Sequence, residues 1–101
     1  MARFAQQTRL VATKGSAPTL LEKFIDAADI QRTNPACEVM LAGNSATEED
    51  VVYLFELWSS EVEWERARTS DAIAAWSEGM SELVAEPPQS VRLDSIDGKG
   101  L

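Results

Sequence analysis

Hydrophobic positions are densest between Val51 and Trp58, where every residue except Glu56 is apolar. Aromatic and β-branched side chains of this kind are typical of β-strands. Because side chains alternate between the two faces of a strand, this segment would present apolar groups on both sides. A strand with one face in water would instead alternate apolar with polar residues. The pattern therefore predicts a central strand that is covered on both faces.

Two strands and one helix are predicted before the central strand. Residues 3–14 alternate in the manner of a strand. A helix should follow, beginning near Ser16 and ending before Pro35. Its apolar residues recur at the spacing of one buried helical stripe: Leu21, Phe24, Ile25 and Ala28. Residues 37–42 form a second strand, and the acidic segment 43–50, which is either a lid or a plain hairpin, leads into the central strand.

Two helices and a last strand are predicted after the central strand. The sequence SEVE, beginning at Ser60, fits a capping box and starts a short helix that runs to about Arg68. A longer helix should begin around Ser70 and end at the proline pair 87–88. Its apolar face is expected at the following positions: Ile73, Trp76, Met80 and Leu83. Residues 90–96 form the last strand.

The predicted order of elements is β-α-β-β-α-β, which is the ferredoxin-like split βαβ arrangement of the α+β class. Residues 1–96 form this one domain, and 97–101 form a flexible tail. A four-stranded antiparallel sheet with helices on one face leaves its second face bare. Since the central strand is apolar on both faces, we expect a homodimer in which two open sheet faces meet.

Composition excludes several classes of function. The chain has 101 residues and a formal net charge of −8, which argues against a nucleic-acid partner. It contains no histidine, so imidazole-based metal sites and histidine acid–base catalysis are excluded, and we expect no metal site. Cys37 is the single cysteine and is expected to be a small buried thiol in a reducing compartment. No segment is predicted to enter a membrane, and the expected location is the cytoplasm.

Three tryptophans, Trp58, Trp64 and Trp76, lie close together near the transition from strand to helix. Such residues often fill a core, because burial of large aromatic rings is favourable. They could instead line a pocket between sheet and helices that suits a flat, apolar aromatic ligand. The polar groups considered for such a pocket are as follows: Gln6, Thr8, Tyr53, Arg66 and Arg68.

Three segments carry a recognisable pattern, namely TRLVATKG at 8–15, YLFELWSSEVEWERARTSDAIAAW at 53–76 and AEPP at 85–88. Its centre is an E-x-W-x-S strand end followed by a helix and a second helix capped by serine. These positions are Glu56, Trp58, Ser60 and Ser70. The pattern resembles the antibiotic biosynthesis monooxygenase family over nearly the whole chain. The resemblance implies a dimeric α+β barrel, in agreement with the dimer expected from the open sheet face.

The family includes haem-degrading enzymes, quinol monooxygenases and oxygenases of aromatic polyketides. Many members carry a histidine before the serine cap of the second helix, and that position is Ala67 here. The haem-degrading branch has an asparagine, a tryptophan and a histidine at positions that are Thr8, Ala67 and Ser77 here, so the resemblance argues against haem degradation. The polyketide-oxidising branch agrees better, because its pocket tryptophan falls on Trp58 and its aromatic helix residue on Trp64.

The resemblance thus implies a monooxygenase without cofactor that acts on a phenolic, quinol or polyketide-like aromatic substrate. Arg66 or Arg68 could stabilise an anionic intermediate, and the pattern identifies no catalytic residue. The alternative is a non-catalytic dimer of the same fold that binds a small molecule or serves a stress response. An open apolar pocket with a convergent polar group would favour the enzyme, and tightly packed tryptophans would favour the alternative.

Overall fold

The computed structural model describes residues 3–94 and 96–100, and within those ranges it contains four β-strands and three α-helices. In chain order the elements are β1 (Phe4–Val11), α1 (Ala17–Gln31), β2 (Cys37–Asn44), β3 (Val51–Trp58), α2 (Glu61–Arg68), α3 (Asp71–Trp76) and β4 (Gln89–Leu93). A single turn of 3₁₀-helix at Met80–Glu82 lies between α3 and β4. No helix among the described residues is both long enough and apolar enough to cross a membrane.

One sheet holds the strands in the order β2-β3-β1-β4, and each neighbouring pair is antiparallel. β3 pairs with β1 along its whole length, from Phe4 opposite Trp58 to Val11 opposite Val51. The crossover through α1 therefore leaves room for β3 between β1 and β2, as the split βαβ arrangement requires. This confirms the ferredoxin-like α+β fold that the order of elements predicts.

The hydrophobic core lies between one face of the sheet and the helices. Val52 and Leu54 of β3 face the helices and pack with Leu20 and Phe24 of α1. A second cluster joins β3, β1 and α2: Trp58, Phe4 and Ala67. Since positions 52, 54 and 58 share one face of β3, the alternation along the strand directs both clusters to the same side of the sheet.

The opposite face of the sheet is mostly apolar, with Gln7 and Arg9 of β1 as polar exceptions, and it is partly open. A row across all four strands brings together Leu41, Phe55, Gln7 and Val91. Leu41 is 63% exposed and Val91 is 61% exposed, while Phe55 is half-buried. The part of the chain that the structure describes therefore covers the central strand completely on its helix side only.

Helix α1 buries a stripe that shares Phe24 with the predicted one but is otherwise shifted around the helix. Its buried residues are Leu20, Phe24, Ala27 and Gln31, whereas Ile25 of the predicted stripe is exposed. Because Leu20 and Leu21 are adjacent, the hydrophobic pattern alone is consistent with burial of either stripe. The buried stripe includes the small Ala27 and the polar Gln31, which a count of large apolar residues overlooks.

The predicted long helix between Ser70 and the proline pair 87–88 is wrong. Helix α3 ends at Trp76, and the chain reverses at Gly79, which has a φ of 77°. Glycine adopts this left-handed conformation without a steric penalty, so it ends the helix and allows the 3₁₀ turn to begin. β4 ends at Leu93, earlier than predicted; Ser95 of the predicted strand, Leu101 of the predicted tail and residues 1–2 lie outside the described ranges.

The acidic connection between β2 and β3 is shorter than 43–50, because β2 continues to Asn44. The end of the loop is hydrogen-bonded to the residue that follows β1, because the Asp50 carbonyl accepts from Ala12 N at 2.7 Å. The Asp50 side chain also accepts from Gly15 N at 3.2 Å. These bonds fix the base of the hairpin against the end of β1.

Ser60 caps helix α2, as the SEVE sequence predicts. Its hydroxyl accepts from Glu63 N at 3.3 Å and is buried. We expect Ser60→Ala to lower the free energy of unfolding by about 1 kcal/mol, because a backbone N–H at the helix start loses its partner. Urea denaturation measures this loss. Ser59→Ala, at the exposed neighbouring position, should change stability by less than about 0.5 kcal/mol, and equal effects would contradict a capping role for Ser60.

Candidate functional site

An apolar cavity of about 210 Å³ lies between the sheet and helices α1, α2 and α3. Its aromatic walls are formed by the following residues: Phe24, Trp58, Trp64 and Trp76. Three polar side chains also line it, namely Gln31, Glu56 and Arg68. The cavity thus combines flat aromatic walls with one carboxyl and one guanidinium group, a composition typical of small-molecule sites.

Glu56 supplies the carboxyl group from the middle of the central strand. It lies on the same face of β3 as Trp58, whose indole Nε1 donates to Glu56 Oε1 at 3.0 Å. Glu56 is only 7% exposed. Burial raises the pKa of the Glu56 carboxyl, and hydrogen bonding from Trp58 and Trp64 opposes part of that rise. Glu56 is therefore a buried carboxyl of increased basicity beside an apolar cavity.

Trp64 of α2 is held between an aromatic ring and two cations. It stacks on Phe4 with ring centroids 4.6 Å apart and an interplanar angle of 28°. The guanidinium carbons of Arg68 and Arg92 lie 5.1 Å and 5.5 Å from its ring. Such contacts favour one orientation of the indole. Arg68 also pairs with Glu65 at 3.1 Å, which places its charge at the exposed edge of the cavity.

Trp76 links α3 to α1 at the other side of the cavity. Its indole Nε1 donates to the carbonyl of Lys23, and the Lys23 ammonium donates to the carbonyl of Trp76. The Trp76 ring also lies 5.6 Å from that of Phe24. Because α3 has only 6 residues, these reciprocal bonds help to hold it against α1.

The structure brings together four of the residues singled out from sequence: Trp58, Trp64, Arg68 and Trp76. The other four, namely Gln6, Thr8, Tyr53 and Arg66, do not line the cavity. Thr8 is buried beside it in the sheet, where its hydroxyl bonds that of Ser90 at 3.0 Å. Tyr53 lies on the opposite face, because it is an odd-numbered position of β3. Arg66 points away from the cavity and pairs with Glu63 on the surface of α2.

Glu56 and Gln31 line the cavity but were not identified as site candidates from sequence. A signal for Glu56 was available, since it is the single charged residue in an otherwise apolar strand. No such signal exists for Gln31, because its position depends on which stripe of α1 is buried.

Two observations bear on metal and thiol chemistry. Within residues 3–94 and 96–100, no three carboxyl or thiol groups cluster closely enough to hold a metal ion. Burial, with smaller contributions from Glu56 and Glu38, raises the pKa of the half-buried Cys37 thiol to about 11. Because the thiolate is the reactive form, Cys37 is poorly suited to act as a nucleophile near neutral pH.

Replacing the Glu56 carboxyl by a neutral amide should stabilise the protein at pH 7. Burial makes Glu56 bind its proton more tightly in the folded state, so its contribution to stability is fully present below its unfolded pKa and is lost as pH rises through the folded pKa. Glutamine keeps an acceptor for the indole N–H and carries no charge at any pH. Urea denaturation should therefore show Glu56→Gln more stable than the wild type at pH 7 and about equal at pH 4.

Each unit of raised pKa corresponds to about 1.4 kcal/mol of this difference at high pH. Glu22→Gln removes an exposed carboxyl from α1 and serves as the matched control, with an expected effect below about 0.5 kcal/mol. A stability difference between wild type and Glu56→Gln that does not vary from pH 4 to pH 7 would contradict the burial effect.

Comparison with solved structures identifies proteins of the same fold. One from Caulobacter crescentus is similar over 95% of this chain and 92% of its own, with 25% identity and a TM-score of 0.85. A protein from Nitrosomonas europaea matches over 93% and 90%, with 12% identity and a TM-score of 0.84. A third, from Chloroflexus aurantiacus, matches over 97% of both chains, with 15% identity and a TM-score of 0.80. Each is named a "putative antibiotic biosynthesis monooxygenase".

No family model matches the sequence, and no curated protein matches it. The shared architecture over nearly the full length of each chain nevertheless establishes the fold of this chain. This chain has the fold of the antibiotic biosynthesis monooxygenase family, which agrees with the resemblance in its sequence.

Proposed function

We propose that the protein is a cofactor-independent monooxygenase that oxidises a phenolic, quinol or polyketide-like aromatic compound in the cavity. The observation that carries this proposal is the combination of aromatic walls with one buried carboxyl group and one guanidinium group. Flat walls orient a ring, and the exclusion of water strengthens electrostatic contacts to a developing charge. The names of the structurally similar proteins give independent support for the reaction class.

The reaction balances with dioxygen as the only co-reactant. A phenol with a free para C–H takes up O₂ and gives a quinone and water, and a quinol with a free ring C–H beside a hydroxyl takes up O₂ and gives a hydroxyquinone and water. In both cases one oxygen atom enters the ring and the other leaves as water. All four electrons that O₂ accepts come from the substrate. The protein needs to supply only binding, orientation and stabilisation of the phenolate, which carries the reacting electron pair.

Arg68 is the cationic group best placed to stabilise an anionic ring. Its guanidinium lies at the edge of the cavity above Trp64, whereas the Arg66 guanidinium lies outside and pairs with Glu63. The two arginines are on the same helix and both form surface ion pairs, so they make a matched pair of variants.

Oxygen consumption tests the proposal. Purified protein is mixed with hydroquinones, naphthols and anthrones, and uptake is measured with an oxygen electrode against the rate without protein. We expect saturable uptake, one labelled atom from ¹⁸O₂ in the product, and a fall in kcat/KM of about threefold for Arg68→Ala but not for Arg66→Ala. Uptake no faster than spontaneous oxidation with every compound would overturn the proposed activity.

The alternative function is that of a non-catalytic dimeric domain that binds a small molecule or serves a stress response. The observation that favours it is the fixed packing of two of the tryptophans, Trp64 on Phe4 and Trp76 against Lys23 and Phe24. Saturable binding of an aromatic compound without oxygen uptake would support this function.

We also propose that two copies of the chain associate through the open face of the sheet. Its exposed apolar row, with Leu41 and Val91 at the two ends, would be removed from water by a second sheet. Although the chain has a formal net charge of −8, none of the strand residues on this face is Asp or Glu. The carboxylates of Glu48 and Glu86 do reach this face from outside the strands, where they lie 2.7 Å and 4.0 Å from the Arg9 guanidinium. The positive charge of Arg9 offsets part of the repulsion that these carboxylates would exert on a second copy.

A further inference from the structure

The Glu56 carboxyl is an unusual group to find at the wall of an apolar cavity. It is buried on the central strand, and among the described residues no lysine or arginine forms an ion pair with it. Placing a carboxylate away from water without a cation is unfavourable, and an amide of the same shape would avoid the charge. Packing alone therefore does not account for a glutamate at this position.

We infer that the Glu56 carboxylate accepts the O–H proton of a one- or two-ring phenol bound in the cavity. In this step the phenol O–H bond breaks, a new O–H bond forms on Glu56, and the electron pair stays on the phenolate oxygen. No oxidation state changes. The inference rests on the proposed function and assigns the step that precedes the reaction of the phenolate with O₂.

The hydrogen bonds around Glu56 hold it in place and leave it able to accept. Trp58 Nε1 donates to Oε1 at 3.0 Å. An ionised carboxylate has about four acceptor positions, so this indole donor leaves capacity for a further donor from the cavity. The indole of Trp64 also lines the cavity. Both indoles belong to the cavity wall, so a ring stacked against them would lie close to the carboxylate.

The charge balance of the cavity favours the transfer. Before the step the negative charge is on Glu56, and afterwards it is on the phenolate, so the number of buried charges does not change. Burial makes the carboxylate more basic than an exposed glutamate, which brings its affinity for the proton closer to that of a phenol. The phenolate then lies in the cavity that Arg68 borders.

The volume of the cavity limits the size of the phenol. At about 210 Å³ it is somewhat larger than the apolar cavities of ~150 Å³ that hold one benzene ring. One substituted ring or two fused rings fit this space without rearrangement. Naphthols and naphthoquinols are therefore suitable probes.

A purely structural role is the competing explanation, in which Glu56 only anchors the Trp58 indole through its hydrogen bond. Glu56→Gln separates the two roles, because glutamine still accepts from the indole N–H but cannot take up a proton. The matched control is Glu63→Gln on the outer surface of α2, where the carboxylate pairs with Arg66.

The first measurement is oxygen uptake with 1,4-dihydroxynaphthalene. We expect Glu56→Gln to lower kcat by about 10²- to 10⁴-fold, the usual contribution of a general base, and Glu63→Gln to leave it unchanged. The residual rate of Glu56→Gln should rise about tenfold per pH unit, because the substrate must then ionise in solution. A kcat within about threefold of wild type, with the same pH profile, would overturn the role of Glu56 and leave the proposed function standing.

The second measurement is binding without turnover, followed by tryptophan fluorescence with 1-naphthol and 1-methoxynaphthalene. Wild type should bind 1-naphthol about fivefold more tightly than Glu56→Gln at pH 7, whereas the methyl ether, which lacks the O–H, should bind both equally. The advantage should disappear as pH falls and Glu56 takes up its proton.

The two measurements together distinguish failure of the inference from failure of the proposed function. Naphthol binding that depends on Glu56, without oxygen uptake by the wild type, would support Glu56 as proton acceptor and overturn the monooxygenase activity. Naphthol binding that is identical in wild type and Glu56→Gln at every pH, without uptake, would overturn both.

Discussion

Replacing Trp58 by alanine is expected to lower the free energy of unfolding by about 3–5 kcal/mol. Trp58 is 2% exposed and packs with Phe4 and Ala67, so truncation opens a void in the core. It also removes the indole N–H that donates to Glu56, which leaves the buried carboxyl with fewer hydrogen bonds. Domains of this size are stable by about 5–15 kcal/mol, so the variant should retain little of its stability.

Urea denaturation at pH 7 measures this effect. Val62→Ala on α2 is the control, because Val62 is exposed and its truncation should cost less than about 0.5 kcal/mol. Trp58→Phe keeps an aromatic ring in the core and should lose much less stability than the alanine variant. A loss below about 1 kcal/mol for Trp58→Ala would show that Trp58 contributes little to the core.

Replacing Leu41 by lysine is expected to convert the proposed homodimer into a monomer. Leu41 lies on the edge strand β2, 63% exposed on the open face, and in the dimer its side chain would meet the sheet of the second copy. A buried ammonium without a partner destabilises an interface by several kcal/mol, which weakens association by about 100-fold or more. The folded chain itself should tolerate the change, because Leu41 is exposed within it.

Light scattering coupled to gel filtration measures the mass of each variant. Val62→Lys is the matched control, since it exchanges another exposed apolar residue for lysine on the helix side of the molecule. We expect wild type and Val62→Lys to elute as dimers and Leu41→Lys as a monomer. A monomeric wild type, or a dimer that persists in Leu41→Lys, would contradict association through the open face.

The sequence was sufficient for the fold because its strongest signals are local. The run from Val51 to Trp58 is short, apolar and rich in strand-forming residues, and it forms the central strand β3 with those bounds. The cap at Ser60 predicts the start of α2 because capping depends on only a few neighbouring residues. The order of elements then leaves few possible topologies.

The wrong predictions concern segments whose local sequence fits more than one structure, so that tertiary contacts decide which one forms. The apolar spacing from Ile73 to Leu83 fits one helix, but the chain turns at Gly79 so that the segment after it can bond to the end of β1, with Thr13 N donating to Leu83 O at 2.9 Å. Which stripe of α1 is buried likewise depends on how the helix packs on the sheet, and the helix sequence alone does not determine it.

The candidate site was predicted only in part for a similar reason. Large aromatic residues that lie close together in a sequence indicate a possible pocket, and the three tryptophans do line one cavity. The role of a carboxyl depends on its surroundings, which sequence does not give. Glu56 is recognisable in the sequence as the single charged residue of an apolar strand, but its place in the cavity wall follows from its burial and its bond to Trp58.

Titration of tryptophan fluorescence with a naphthoquinol under anaerobic conditions tests most directly whether the cavity is a ligand site. Ala67→Phe would fill the cavity from its wall, whereas Ala72→Phe adds the same ring at an exposed position of α3. The account predicts saturable quenching at micromolar concentration in wild type and Ala72→Phe, and its loss in Ala67→Phe. Absence of saturable quenching in wild type, or equal quenching in Ala67→Phe, would contradict it.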